Sequence, residues 1–146
     1  DLKLVVDSAV EACRANADAK MINIKVNAFE NIRFPMNARL LEQALINLLD
    51  NAVKYSSENN VVEVLVEQNE KDVVISIRDY GCGIEKEHLS RIFERFYRVD
   101  KARSRSLGGT GLGLAITHHI IKAHHGHISV ESVPFQGSTF KIWLPY

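Results

Sequence analysis

Between Arg39 and Tyr55, leucines and alanine at 41, 45, 48 and 52 recur on one helical face, while Asn47, Asn51, Lys54 and Tyr55 share an adjoining polar stripe. At about 100° per residue these positions cannot be averaged into one surface. A helix so divided must rest its leucines on an apolar layer and keep its amides, ammonium and phenol at an edge of that layer. Asn37 precedes it as an N-cap candidate, and the polar run Ser56–Asn60 ends it.

The flanking segments supply the layer. Leu2, Val5, Val6, Ala9, Val10 and Cys13 predict a first amphipathic helix. Ile22, Ile24 and Val26 alternate as a half-buried strand, and Ile32 to Phe34 is expected to pair with it. Val62, Val64, Val66 and Val73, Ile75, Ile77 predict an antiparallel hairpin around Asn69-Glu70-Lys71. Leu114 to Ala123 reads as a helix. Ile128 and Val130, then Phe140, Ile142 and Leu144, give two more strands joined around Pro134 and Gly137. Strands near both ends with helices between them predict an α/β two-layer sandwich, its helices on one face of the sheet.

Bulk properties narrow the function classes. The chain of 146 residues suits one domain, and its zero formal net charge offers no global attraction to nucleic acid or an anionic membrane. No apolar run approaches the roughly 20 residues of a membrane span, and no signal-peptide pattern opens the chain. Cys13 and Cys82 make neither a disulfide framework nor a paired metal spacing, and read as two reduced thiols. The start at Asp1 suggests a piece of a longer protein.

Four elements carry candidate chemistry. The polar stripe of the long helix suits a Mg²⁺–phosphate group, since amide oxygens ligate hard cations and lysine pairs with phosphate. Its ordinary alternative is a solvated face. Asp79-Tyr80-Gly81-Cys82-Gly83-Ile84 follows a strand directly. An ionised aspartate accepts hydrogen bonds from an exocyclic amine, and spaced glycines admit a flat ligand; the alternative is a glycine-rich turn. Gly109-Thr110-Gly111-Leu112-Gly113 opens the helix to Ala123 and would expose backbone N–H groups to an anion. It is neither a dinucleotide fingerprint nor a Walker A loop. Between these lie Arg91 to Arg98 and the basic residues Lys101, Arg103 and Arg105, where Phe93, Phe96 and Tyr97 are expected to anchor a loop beside phosphates. An exposed charged loop is the plain alternative.

The order of the four elements is more informative than any one of them. Asn47 to Ser56, Asp79 to Ile84, Ile92 to Asp100 and Gly109 to Ile116 resemble the N, G1, F and G2 boxes of the GHKL (Bergerat) ATPases, and within them the sensor histidine kinases. Gly137-Ser138-Thr139-Phe140 through Pro145 resembles their closing strand, so the likeness covers essentially the whole chain. It implies a mixed sheet covered on one face by about three helices, and ATP and Mg²⁺ as cofactors. Asn51 would ligate the metal, Lys54 and Arg98 would contact phosphate, and Tyr55 would lie along the sugar-phosphate side. Asp79 would accept from adenine N6, with Gly81 and Gly83 leaving room for the base. The same boxes put Ile84, Tyr97, Thr110 and Leu112 in the nucleotide-binding set. Gly109, Gly111 and Gly113 would hinge an ATP lid running from about Val99 to Thr110.

Asn47 stands where hydrolysing relatives carry a glutamate base, and an amide takes no proton near neutral pH. The resemblance therefore implies slow hydrolysis and transfer of the γ-phosphoryl group to a histidine on a separate dimerisation domain, with a response regulator downstream. It implies a cytoplasmic, monomeric fragment of a parent that is anchored or soluble, with no nucleic acid partner. A nucleotide-binding regulatory module and an anti-sigma-like serine kinase are the alternatives. His118, His119, His124, His125 and His127 cluster without a ligand spacing that favours zinc. In this family the helix end reads His-Gly-Gly, so His125 replaces a glycine and bears on the local turn.

Overall fold

The computed structural model describes residues 1–27, 29–99 and 110–146. Helix α1 (Leu2–Ala19) leads into β1 (Asn23–Val26). Helix α2 (Ala38–Tyr55) precedes the hairpin β2 (Val61–Gln68) and β3 (Asp72–Asp79). After a single 3₁₀ turn at Lys86–His88 come α3 (Gly113–Ala123), β4 (His127–Val133) and β5 (Gly137–Pro145). The strands form one sheet in the order β1-β2-β3-β5-β4, with β1 parallel to β2 and every other pair antiparallel. This is the expected mixed α/β sheet with three helices. No helix among the described residues is long and apolar enough to cross a membrane.

Alternation determines which face of the sheet is covered. Val62, Val64, Val66, Val73, Ile75, Ile77, Phe140, Ile142 and Leu144 are all buried and join one core with the helices. Cross-strand pairs such as Val64 with Ile77 and Ile75 with Ile142 set the register, and a slip of one residue would turn this whole set to solvent. Helix α2 lays Leu41, Leu45, Leu48, Leu49 and Ala52 into that core, as its leucine spacing predicts. The Asn37 side chain accepts from Leu40 N at 3.1 Å, so the expected N-cap is present.

One segment departs from the sequence reading here, and one contact lies outside it. Ile32 to Phe34 forms no strand. Ile32 is buried and its carbonyl accepts from Leu2 N at 2.9 Å, so the segment closes the start of α1 instead of extending the sheet. The contact is made by Lys20. Its ammonium donates to the carbonyls of Val53 at 2.7 Å, Lys54 at 3.1 Å and Ser56 at 2.5 Å. A cation on the orphan carbonyls of a helix end satisfies them and opposes the dipole. Lys20 thus ties the end of α1 to the end of α2.

Helix α3 ends with His124 N bonded to Ile120 O, Gly126 N bonded to Ile121 O, and His125 in the left-handed region at φ +59. This is a Schellman-type end with a histidine where glycine is favoured. His124 itself is occupied: Nδ1 lies 2.8 Å from Ile120 O and Nε2 accepts from Asn37 N at 3.1 Å, joining α3 to the start of α2. His127 stacks on Trp143 with ring centroids 4.4 Å apart. The cluster is divided among separate structural tasks, and no group of three or more His, Cys, Asp or Glu among the described residues is placed to hold a metal. His125→Gly should raise stability by about 1 kcal/mol, or about 2–4 °C in Tm, by relieving the left-handed strain. A lower melting temperature would show that the imidazole has a compensating contact.

Candidate nucleotide-binding site

A cavity of about 530 Å³ opens between the C-terminal half of α2, the loop after β3, the segment before α3 and the β4–β5 turn. That volume is in the range of small-molecule and cofactor clefts. Asn47, Asn51, Lys54 and Tyr55 line one wall, so the whole polar stripe of α2 faces it. Asp79, Gly83 and Ile84 line the end nearest the sheet, and Tyr97, Arg98, Thr110, Gly111 and Gly113 line the opposite rim. Gly81 and Leu112 are not among the lining residues, and Gly109 lies outside the described residues, as does most of the expected lid. Ile92 and Phe140, to which the sequence reading gives no nucleotide role, add apolar lining.

The end wall is built by backbone-to-backbone approach. A Cβ on Gly81 would stand 2.2 Å from Tyr55 O, and one on Gly83 would stand 2.2 Å from Val133 O. The glycines are therefore required first by the protein's own chain, which they allow to close around the site. Gly83 also has φ +70, a conformation that side chains resist. Ser132 holds the same loop from the sheet: its hydroxyl accepts from Ile84 N at 2.7 Å and meets Ser138 Oγ at 2.8 Å. Ser132 does not stand out in the sequence, because its contact with Ile84 spans 48 residues and has no local pattern.

Asp79 ends the central strand β3, and its side chain is buried. Burial pushes its carboxyl above the ordinary aspartate range, and N–H bonds from Gly81 and Ser138 pull it partly back. The Gly81 bond is 2.9 Å. The result is an acceptor fixed in direction and poorly solvated, which suits recognition of an amine. Asp50, beside the stripe, lines the cavity and approaches the buried Cys13, whose thiol is pushed up to about 12 by burial and then by that carboxylate. Cys13 is therefore an inert core residue.

Asn47 is already engaged. Its Nδ2 donates to Gly113 O at 3.2 Å and to Thr117 Oγ1 at 3.4 Å, while its Oδ1 accepts from Gln43. It links α2 to the first turn of α3. Leu112, the N-cap of α3, makes no side-chain cap, and Thr110 Oγ1 accepts from Leu112 N at 3.3 Å. In the segment before the lid, Phe93 packs edge-on to Phe140 and Tyr97 bonds to His88 beneath the Arg91 guanidinium. Phe96 does not anchor the segment as expected. At φ +62 its ring turns outward, 68% exposed, while its backbone seats Gly111: Phe96 N donates to Gly111 O at 2.8 Å.

With this geometry in place, the relatives can be compared. A family model described as histidine kinase-, DNA gyrase B-, and HSP90-like ATPase matches residues 36–146. The chain belongs to this family. Among curated relatives it is 41% identical to the sensor-like histidine kinase SenX3 of Mycobacterium tuberculosis over 145 residues, covering 99% of this chain and 35% of SenX3. It is 46% identical to the sensor histidine kinase WalK of Bacillus subtilis over 108 residues, covering 73% of this chain and 18% of WalK. The catalytic domain of histidine kinase ThkA superposes with a TM-score of 0.86 at 26% identity, over 99% of this chain and 92% of that one. Full-length ShkA, solved with AMPPNP, gives 0.84 at 28% identity over 99% and 30%.

The chain thus spans about a third of SenX3. It is a catalytic ATPase domain of the sensor histidine kinase type, and the cavity lies where its N, G1, F and G2 boxes meet. Because Asp79 has a raised pKa, its contribution to stability is full below the ordinary aspartate value of 3.8 and is lost as pH rises through the raised value. The stability of Asp79→Asn relative to wild type should therefore increase as pH rises from 4 towards neutrality. Urea unfolding at each pH would measure the gap, and a flat or shrinking gap would contradict the burial argument.

Proposed function

We propose that this domain binds Mg-ATP in the cavity and presents the γ-phosphoryl group to a histidine on a separate helical dimerisation domain of a parent kinase, which then serves a response regulator. One observation supports this above the others: residues from four distant boxes, Asn51, Asp79, Arg98 and Gly111, line a single cavity. Asp79 accepts from adenine N6. Tyr55 lies along the sugar-phosphate side, and Lys54 and Arg98 carry the charge that faces phosphate. The uncapped first turn of α3, with Thr110, Gly111 and Gly113, supplies backbone donors to the same anion.

Mg²⁺ fits the donor set. It prefers oxygen and keeps most of its ligands as water and nucleotide phosphate, so one amide oxygen from Asn51 suffices on the protein side. When bound, the metal neutralises phosphate charge. The residues of this chain hold and orient; the acceptor imidazole nitrogen attacks Pγ, the bond to the bridging oxygen breaks and ADP leaves. Asn47 has no proton-accepting atom to activate water, and its amide is held by Gly113 and Thr117. Hydrolysis should accordingly be slow. SenX3 and WalK carry the name of histidine kinases, and ShkA was solved with an ATP analogue, which supports the same reading.

Asn51→Asp and Asp79→Asn should each weaken Mg-ATP binding at least tenfold by calorimetry, about 1.4 kcal/mol or more, while the fold survives. Unchanged affinity in both would overturn the site assignment. Mixed with a separately made dimerisation domain and radiolabelled ATP, the domain should place acid-labile phosphate on histidine. Acid-stable phosphoserine on a partner would favour a serine kinase instead.

A further inference from the structure

The turn joining β4 to β5 contains a residue that the fold does not explain. Gln136 N donates to Val133 O at 3.0 Å, Pro134 takes the second place and Phe135 the third, at φ +65. These are the marks of a type II turn, whose third position calls for glycine or asparagine. A phenylalanine there strains the backbone. Nor does the ring recover this by packing, because Phe135 is 88% exposed. Yet the residue is not loosely held. Its N–H donates to Cys82 O at 2.7 Å, and the loop before it lies so close to Gly83 that a Cβ there would stand 2.9 Å from Pro134 Cα. Phe135 is fastened to the loop that follows Asp79, and it lines the rim of the same cavity.

We propose that Phe135 is a base-stacking residue, its ring covering the open face of the adenine whose amine Asp79 reads. This rests on the nucleotide-site reading above. An aromatic ring kept at a cavity rim by strained backbone, without an apolar neighbour to cover it, is suited to a flat π-ligand. The purine supplies such a face, and base–aromatic stacking is strong enough to offset the turn strain. The edge of the base is recognised by the carboxylate and its face by the ring, so the two residues act on different features of one ligand. Stacking does not discriminate among purines; that selectivity stays with Asp79.

The test separates affinity from folding. Calorimetry on the whole chain would compare Mg-ATP with Mg-tripolyphosphate, which lacks the base, for wild type, Phe135→Gly and Phe135→Trp. Phe135→Gly should weaken Mg-ATP roughly five- to hundredfold, the range of single base–aromatic stacks, leave tripolyphosphate unchanged, and melt at the same or a higher temperature. Phe135→Trp should retain affinity, and its added emission should be quenched by Mg-ATP but not by tripolyphosphate. Trp143, the one native tryptophan, stacks on His127 outside the cavity lining and serves as the wild-type baseline. Wild-type affinity for Mg-ATP in Phe135→Gly overturns the proposal. If Asp79→Asn still loses affinity in that case, the nucleotide-site reading stands without the stack; if Asp79→Asn also binds normally, both fall. An equal loss for ATP and tripolyphosphate overturns the stack too, by pointing to a disturbed loop.

Discussion

The division of α2 into a leucine face and an amide stripe is the constraint on which the rest depends. Leu41, Leu45 and Leu48 must be covered, and the apolar sheet formed by β2, β3 and β5 covers them. Burying those leucines fixes the helix rotation, and rotation leaves Asn47, Asn51 and Lys54 facing the cavity at the strand ends. The hydrophobic effect, itself non-directional, thus sets the direction of the polar groups. Lys20 completes this placement by satisfying the carbonyls at the end of α2, beside the turn that carries Lys54 and Tyr55. A loss there would loosen the stripe at the end where phosphate is expected.

The end wall nearest the sheet relies on close backbone contact. Gly81 fits under the Tyr55 carbonyl, Gly83 under that of Val133, and Gly137, at φ +113, against that of Asp79. Three chain segments far apart in sequence meet with almost no side-chain atoms between them. Such a wall is stiff, because a relaxation of even a few tenths of an ångström would have to move backbone. Stiffness matters for Asp79. Burial raises the Asp79 pKa, and the Gly81 and Ser138 N–H groups that oppose this rise belong to the same close-packed backbone.

How much of this is legible in the sequence follows from the range of each interaction. The α2 face, the Asn37 cap and the β2–β3 hairpin are encoded within a few residues of one another and can be read directly. The four boxes are also legible, since their residue types suit the chemistry and their order is restrictive. The Ser132–Ile84 bond, the Lys20 clamp and the Asn47–Gly113 link are not. Each joins positions whose proximity exists only after folding, and each uses residue types common on surfaces. Ile32 to Phe34 misleads for a related reason: an isolated apolar pair looks the same whether it enters a sheet or closes a helix end.

Asn47 shows how structure changes the meaning of a sequence substitution. Read alone, an amide in the place of a base is simply a missing function. In the folded chain it gains a structural one, since its donors reach Gly113 O and Thr117 Oγ1 and so tie the polar stripe of α2 to the first turn of α3. A glutamate at this position would offer oxygens, not donors, to the same carbonyl, and would repel it. The contact therefore selects against the residue that hydrolysis would need. Under the proposed function, stability of the α2–α3 seam and restraint of water attack would be served by one side chain, which gives a physical reason for the two to be retained together.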